Sequence, residues 1–282
     1  MTMESNQGPG GRVVVITGAG SGIGAQTARL LVARGIRVGL LDRDEKAVRA
    51  MESELGILSA AFVADVTDTA SLTVAMAAVA DHFGGIDAVV ANAGISGPGA
   101  TVESIDPAEF ERVIDINLLG VWRTVRAALP FVRERRGYVL AIASIAAVIP
   151  CPTMPAYAAS KAGVEQFTRA LRMELADAGI AVGTAYFGAI DTPMVARMRN
   201  EPGLNQLLER LGFAGRPVPV GHAAAAIVRG IEGRHRTVSA PSYVPALLAL
   251  RSVLALADPL LARLPAIREL VREASIANGA SR

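Results

Sequence analysis

The chain has 282 residues, a formal net charge of +2 and 51% hydrophobic residues, of which few are aromatic. That length and composition point to one large α/β domain with a core of Ala, Val, Leu and Ile. The near-neutral balance, without a lysine- or arginine-rich run, argues against a nucleic-acid partner. Cys151 is the lone cysteine, so no internal disulfide can form, which fits a reducing cytoplasm. Residues 1–11 are polar and glycine-rich and lack the apolar core of a signal peptide, so a floppy start is expected there. A single domain over 12–241 and a helical extension over 242–282 should follow. No stretch reaches the roughly 18 uncharged apolar residues of a membrane-spanning helix.

Val13-Val14-Val15-Ile16 reads as a buried strand of a parallel sheet. Ala25 to Arg34 then repeats apolar residues at helical spacing, with Ala28, Leu31 and Val32 on one side. Gly18, Gly22 and Gly24 lie in the turn between them, with Ser21 and Ile23 interspersed. Glycine there lets a pyrophosphate approach the main chain, and the helix start offers it free N–H groups. The second strand, Ile36 to Leu41, ends at Asp42. An acid at that point accepts hydrogen bonds from the adenosine ribose and repels a 2′-phosphate, which makes NAD the expected cofactor. Arg43 beside it keeps NADP as the alternative, since a guanidinium can pair with that phosphate.

Ser59 to Val63 is the next expected strand, followed by Asp65-Val66 where an adenine ring could rest. Asp68 is placed to cap a helix running to about His82. A strand over Ile86–Ala91 ends in Asn92-Ala93-Gly94, and one long helix from Pro107 to Arg135 carries Asn117. Tyr138 to Ala143 delivers Ser144, Pro155 to Ala178 is the helix bearing Tyr157 and Lys161, and Ile180 to Tyr186 is a further strand. This alternation predicts a doubly wound parallel sheet with ligands at the carboxyl ends of its strands.

Tyr157 and Lys161 stand one helical turn apart, on the same face. A phenol is a weak acid, with an ordinary pKa of about 10, and a nearby ammonium favours its ionised form. Ser144 could hold a substrate oxygen beside that phenol.

Thr17-Gly18-x3-Gly22-x-Gly24, Asn92-Ala93-Gly94, Asn117, Ser144 and Tyr157-x3-Lys161 occur in the order and spacing of the short-chain dehydrogenase/reductase family, which the chain resembles from about Arg12 to Arg236. The resemblance implies a Rossmann-type sheet of about seven parallel strands in three layers, and NAD(P)-dependent oxidation of an alcohol or reduction of a ketone. It implies Tyr157 as acid/base, and Lys161 as the residue that lowers its pKa and grips the nicotinamide ribose. It gives Ser144 the substrate oxygen, Asn117 a proton-relaying water, and Thr192 the carboxamide, with Gly188 and Ile190 in the same segment. Two departures are Ala91, where a second asparagine is common, and Phe187, where a proline usually precedes Gly188.

His82, His222 and His235 show no metal-ligand spacing and read as structural or surface residues, so no metal is expected. Asp191 reads as a helix cap before Pro193, and Cys151 as a small buried apolar residue. Residues 191–215 hold Met194, Val195, Met198, Leu204, Leu207, Leu208, Leu211 and Phe213 and should close over substrate. With Met154 and Phe187 nearby, they point to a hydrophobic alcohol or ketone. The tail from Ser242 is apolar around much of its circumference and broken by Pro245, Pro259 and Pro265, giving two or three short amphipathic helices unable to span a bilayer. Such area seldom stays uncovered. The tail is therefore expected to pack across a subunit interface of a homodimer or homotetramer, or over the substrate entrance. Docking on a membrane surface is the less favoured reading.

Overall fold

Seven strands form a single parallel sheet in the computed structural model, which describes residues 11–199, 205, 215–277 and 279. They are β1 (Val13–Thr17), β2 (Arg37–Asp42), β3 (Ser59–Val63), β4 (Ala88–Ala91), β5 (Tyr138–Ile142), β6 (Ala181–Phe187) and β7 (Thr237–Ala240). Their order is β3-β2-β1-β4-β5-β6-β7, so the winding reverses between β1 and β4. A crevice opens there, beyond the carboxyl ends of the strands.

Alternation along each strand divides the core into two layers. Val14 and Ile16 of β1 pack with Ala28 and Leu31 of α1 (Gly22–Val32), Val48 of α2 (Glu45–Leu55) and Ile227 near the chain's later helices. Val13 and Val15 face the opposite layer, with Leu72 and Val79 of α3 (Thr69–Phe83) and with Val121 and Val164. Asp68 caps α3 as expected, accepting from the N–H groups of Ala70 at 2.8 Å and Ser71 at 3.2 Å.

The long helix expected over Pro107–Arg135 has a different interior. It comprises α4 (Pro107–Ile114), a π-helical turn over Asp115–Leu119 and α5 (Gly120–Glu134). Asn117 occupies that wider turn, a form of helix that concentrates at functional sites. Beyond β5 come α6 (Pro155–Glu174), α7 (Pro193–Arg199) and α8 (Val220–Gly233).

The tail departs from expectation. α9 (Val244–Leu254), a 3-10 turn (Ala255–Ala257) and α10 (Asp258–Leu261) run on without a break. Pro245 and Pro259 each stand in the first turn of a helix, where a missing N–H costs nothing. The 18 residues Val244–Leu261 have a mean hydropathy of 1.7 and only 6% of them are buried. At about 1.5 Å per residue the run is long and apolar enough, by length and composition alone, to cross a membrane, which corrects the view that its prolines interrupt it. Only Pro265 starts a separate helix, α11 (Pro265–Ala277).

This run presents its apolar side outward. Val244 is fully buried, Leu248 leans on the core and Arg251 pairs with the buried carboxylate of Glu165 at 2.5 Å. Leu250, Val253, Leu256 and Leu260 are exposed on the other side.

Candidate active site

At the end of β1 the chain turns through Gly18 with φ +67°, a left-handed conformation that favours glycine. A Cβ there would lie 2.9 Å from Cα of Ala93 and 3.0 Å from the Asn92 side chain. That crowding follows from a stitch between β1 and β4. Asn92 donates through Nδ2 to the carbonyls of Thr17 at 2.9 Å and Gly18 at 3.2 Å. Thr17 Oγ1 in return accepts the N–H groups of Asn92 and Ala93. Ser21 begins α1 without spending its hydroxyl on a cap, and no acid lies in the first turn. The helix start therefore stays suited to an anion.

Asp42 is aimed by backbone. Its Oδ2 accepts from Gly20 N–H at 2.9 Å and its Oδ1 from Asp44 N–H at 3.0 Å. Asp65 is held likewise by the N–H and hydroxyl of Thr67. From this end one cavity of about 290 Å3 runs to Ser144, Tyr157 and Lys161. Along its length lie Gly18, Ser21, Gly22, Ile23, Asp42, Arg43, Asp65, Val66, Asn92, Ala93 and Gly94, with Gly188, Ile190 and Thr192 closing the far wall.

Two expected site residues stand outside this lining. Gly24 was assigned to cofactor contact, yet a Cβ on it would overlap the carbonyl oxygen of Gly18 and crowd Asn92. It serves close packing of α1 beneath the turn. Asn117 is fully buried, and its amide is taken up by the protein itself. Its Oδ1 accepts from Ile95 N–H at 2.8 Å, while its Nδ2 donates to the Ile95 carbonyl at 2.8 Å and to Ser160 Oγ at 3.2 Å. The side chain thus fixes Ile95, a pocket residue the sequence did not single out. Ile116, Ile142 and Arg197 also line the cavity, and no motif marked them.

Ser144, two residues past the end of β5, donates to the Phe187 carbonyl at 3.4 Å and accepts from Ala146 N–H at 3.2 Å. Its hydroxyl also lies near enough to the Tyr157 phenol to favour the ionised form of that phenol. Burial pushes that phenol's pKa up, with the Ser144 hydroxyl working the other way and nearby Cys151 adding to the rise. Burial also pulls the Lys161 ammonium down to about 8. Lys161 Nζ donates to the Ile142 carbonyl at 2.8 Å and lies 5.7 Å from the centre of the Tyr157 ring. The net direction for the phenol is upward, the hydroxyl opposing it is that of Ser144, and the ammonium is directed at a carbonyl.

Cys151 is an inert thiol, raised by burial to about 11. Thr192 takes the capping place given to Asp191, since its Oγ1 accepts from Val195 N–H at 3.3 Å. Met194 and Val195 line the cavity, whereas Met154 is buried without reaching it. Leu204, Leu207, Leu208, Leu211 and Phe213 lie outside the described residues, as do residues 1–10. Among the described residues no group of three or more His, Cys, Asp and Glu could hold a metal ion.

The glycine turn, the backbone-aimed acid and the Ser–Tyr–Lys group thus share one cavity. The chain matches the short chain dehydrogenase family over residues 12–203. It belongs to that family. It is 38% identical over 226 residues to 3beta-hydroxysteroid dehydrogenase 1 of Eggerthella lenta, covering 76% of this chain and 85% of that one. The fold matches 3-ketoacyl-(acyl-carrier-protein) reductase from Brucella melitensis complexed with NADH, with a TM-score of 0.72, 29% identity, and coverage of 81% and 96%. It matches an actinorhodin polyketide ketoreductase variant with NADPH at a TM-score of 0.75, 30% identity, and coverage of 83% and 97%. This dehydrogenase/reductase is an oxidoreductase that uses a nicotinamide cofactor on alcohol or ketone groups.

Proposed function

We propose that the enzyme interconverts a hydrophobic secondary alcohol and its ketone with NAD, and that Tyr157 is the acid/base. The observation that carries this reading is that Ser144, Tyr157 and Lys161 line the same cavity as Asp42, with Lys161 Nζ 5.7 Å from the centre of the Tyr157 ring. A substrate oxygen placed between the two hydroxyls would be held by Ser144 and would exchange its proton with Tyr157 Oη. The nicotinamide, when bound, supplies or takes the hydride. Because burial raises the phenol's pKa, Tyr157 carries its proton at neutral pH and is suited to protonate the oxygen of a ketone. Alcohol oxidation needs the opposite form and should accelerate as pH rises.

The chain's own residues fit the cofactor. A Cβ at Gly18 would fill the space over Ala93 where the turn must stay open, and the free start of α1 suits the pyrophosphate. Asp42 at the adenosine end supports NAD over NADP, because its carboxylate would repel a 2′-phosphate. Lining by Ile95, Ile142, Phe187, Met194 and Val195 supports an apolar substrate. Steroid-like, cyclic and aliphatic alcohols assayed with NAD and NADP test the reading. Preference for polar sugars, or equal efficiency with both cofactors, would defeat it.

The same reading has the chain assembling as a homodimer or homotetramer. Exposed Leu119 and Trp122 on the helix that carries Asn117 support this. A monomer mass by light scattering at working concentration would refute it.

A further inference from the structure

The segment Gly188–Thr192 forms the wall of the cavity at its reactive end, yet a residue outside the cavity presses on it. A Cβ built at Gly188 would stand 2.5 Å from the hydroxyl oxygen of Tyr243, 3.3 Å from its Cζ and 3.1 Å from Cδ of Pro241. The phenol of Tyr243 therefore lies against bare backbone, at a distance only glycine permits. The Ala189 backbone also lies close enough to that hydroxyl to favour its ionised form, against a larger rise from burial. Tyr243 itself does not line the cavity, whereas Gly188, Ile190 and Thr192 do.

The remaining ties of this wall show what the phenol adds. Gly188 N–H donates to the Ala240 carbonyl at 2.9 Å, and Asp191 N–H to the Val218 carbonyl at 2.8 Å. The Ala189 carbonyl accepts from Val218 N–H at 3.0 Å. Those bonds fix the two ends and one face of the peptide run. Tyr243 holds the face turned away from the cavity. The ring is kept in place by its neighbours, since Val244 is fully buried and Arg251, two turns further along α9, is paired with Glu165. Glu165 stands one turn beyond Lys161 on α6. The base of the tail thus backs the cofactor wall and also braces the helix that carries Tyr157.

We propose that Tyr243 is a positioning residue for hydride transfer, backing Gly188 and Ala189 so that the wall meets the nicotinamide half of the cofactor at a fixed depth. This rests on the reading above, in which the cavity holds a nicotinamide dinucleotide with its ring at this end. Asp42 and Asp65 line the cavity away from this wall. ADP-ribose keeps the adenosine, both phosphates and the second ribose, so a change felt at the nicotinamide ring separates it from NADH.

The test compares NADH with ADP-ribose, which lacks only the nicotinamide, by calorimetric titration of the wild type and Tyr243→Phe. That substitution keeps the ring and removes the hydroxyl, so the fold should persist. The expected result is a weakening of NADH binding and a fall in kcat of about three- to tenfold, the worth of one hydrogen bond. Affinity for ADP-ribose should be unchanged. A second arm uses Gly188→Ala, whose added methyl would meet the Tyr243 hydroxyl. It should lower kcat further in the wild type than in the Tyr243→Phe background, where the hydroxyl is gone. Equal losses in the two backgrounds would overturn the proposal. So would unchanged NADH binding and kcat in Tyr243→Phe, or a parallel loss of ADP-ribose affinity. A wild type that binds ADP-ribose but not NADH would instead overturn the placement of the nicotinamide on which the proposal rests.

Discussion

The two ends of the cavity are built by opposite rules. At the adenosine end the polar groups are half-buried at or just past strand ends and are aimed by backbone N–H groups, as with Asp42 under Gly20 and Asp44. At the reactive end Ser144 and Lys161 are buried and Tyr157 is half-buried, and desolvation displaces ionisation, upward for Tyr157 and downward to about 8 for Lys161. The first arrangement selects a ligand by shape and charge. The second moves the Lys161 ammonium toward neutrality and keeps the Tyr157 phenol in its protonated form, the form a proton donor needs. Substitution of Asp42 should change cofactor binding and leave turnover, whereas loss of the Tyr157 proton donor should change turnover and leave cofactor binding.

The largest effect should come from Tyr157→Phe. Loss of a positioned acid/base typically costs about 10²–10⁴-fold, so kcat should fall that far while the cofactor dissociation constant stays within about twofold. A comparable loss of cofactor affinity would break the division between the ends. Ser144→Ala should lower kcat by roughly 10- to 100-fold, as expected for a hydrogen bond to a developing charge. It should also raise the Tyr157 pKa further, because the Ser144 hydroxyl is what opposes burial. An ultraviolet titration of tyrosinate, compared with Tyr157→Phe, reads this directly.

At the other end, Asp42→Asn should leave kcat near that of the wild type and move cofactor preference toward NADP by about tenfold, or ~1.4 kcal/mol. Unaltered preference would mean that Arg43 already sets it. The smallest effect concerns pH. Lys161 is charged below about 8 and neutral above it, whereas the raised phenol keeps its proton across that range. Ketone reduction should therefore be flat below pH ~8 and decline severalfold above it. In Lys161→Arg, whose guanidinium does not titrate, that decline should vanish even if the overall rate is lower. A decline that persists belongs to another group.

The strands and the site motifs were legible because each is written locally. Val13–Ile16, the glycine turn and the Tyr157–Lys161 spacing all depend on residues close in sequence. Other features depended on backbone phase or distant contact. Gly24 looks like its fellow glycines until the Gly18 carbonyl is seen against it. Asn117 in an apolar run announces a buried amide, but not the π turn or its partner Ile95, 22 residues away. Thr192 and Asp191 are adjacent cap formers, and only the start of α7 at Pro193 separates them. In the tail, proline counted as a breaker until helix phase put Pro245 and Pro259 in first turns.

The outward apolar side of Val244–Leu261 carries a calorimetric consequence. Leu250, Val253, Leu256 and Leu260 keep ordered hydration that any covering body would release. Whatever covers them, the event must carry a negative heat-capacity change. Its enthalpy near room temperature should be small, and its strength should grow on warming from the cold, because apolar association weakens as temperature falls. Cold-room handling would then favour the uncovered chain, and measurements of its assembly at 4 °C and 30 °C should disagree in a direction fixed by this one helix.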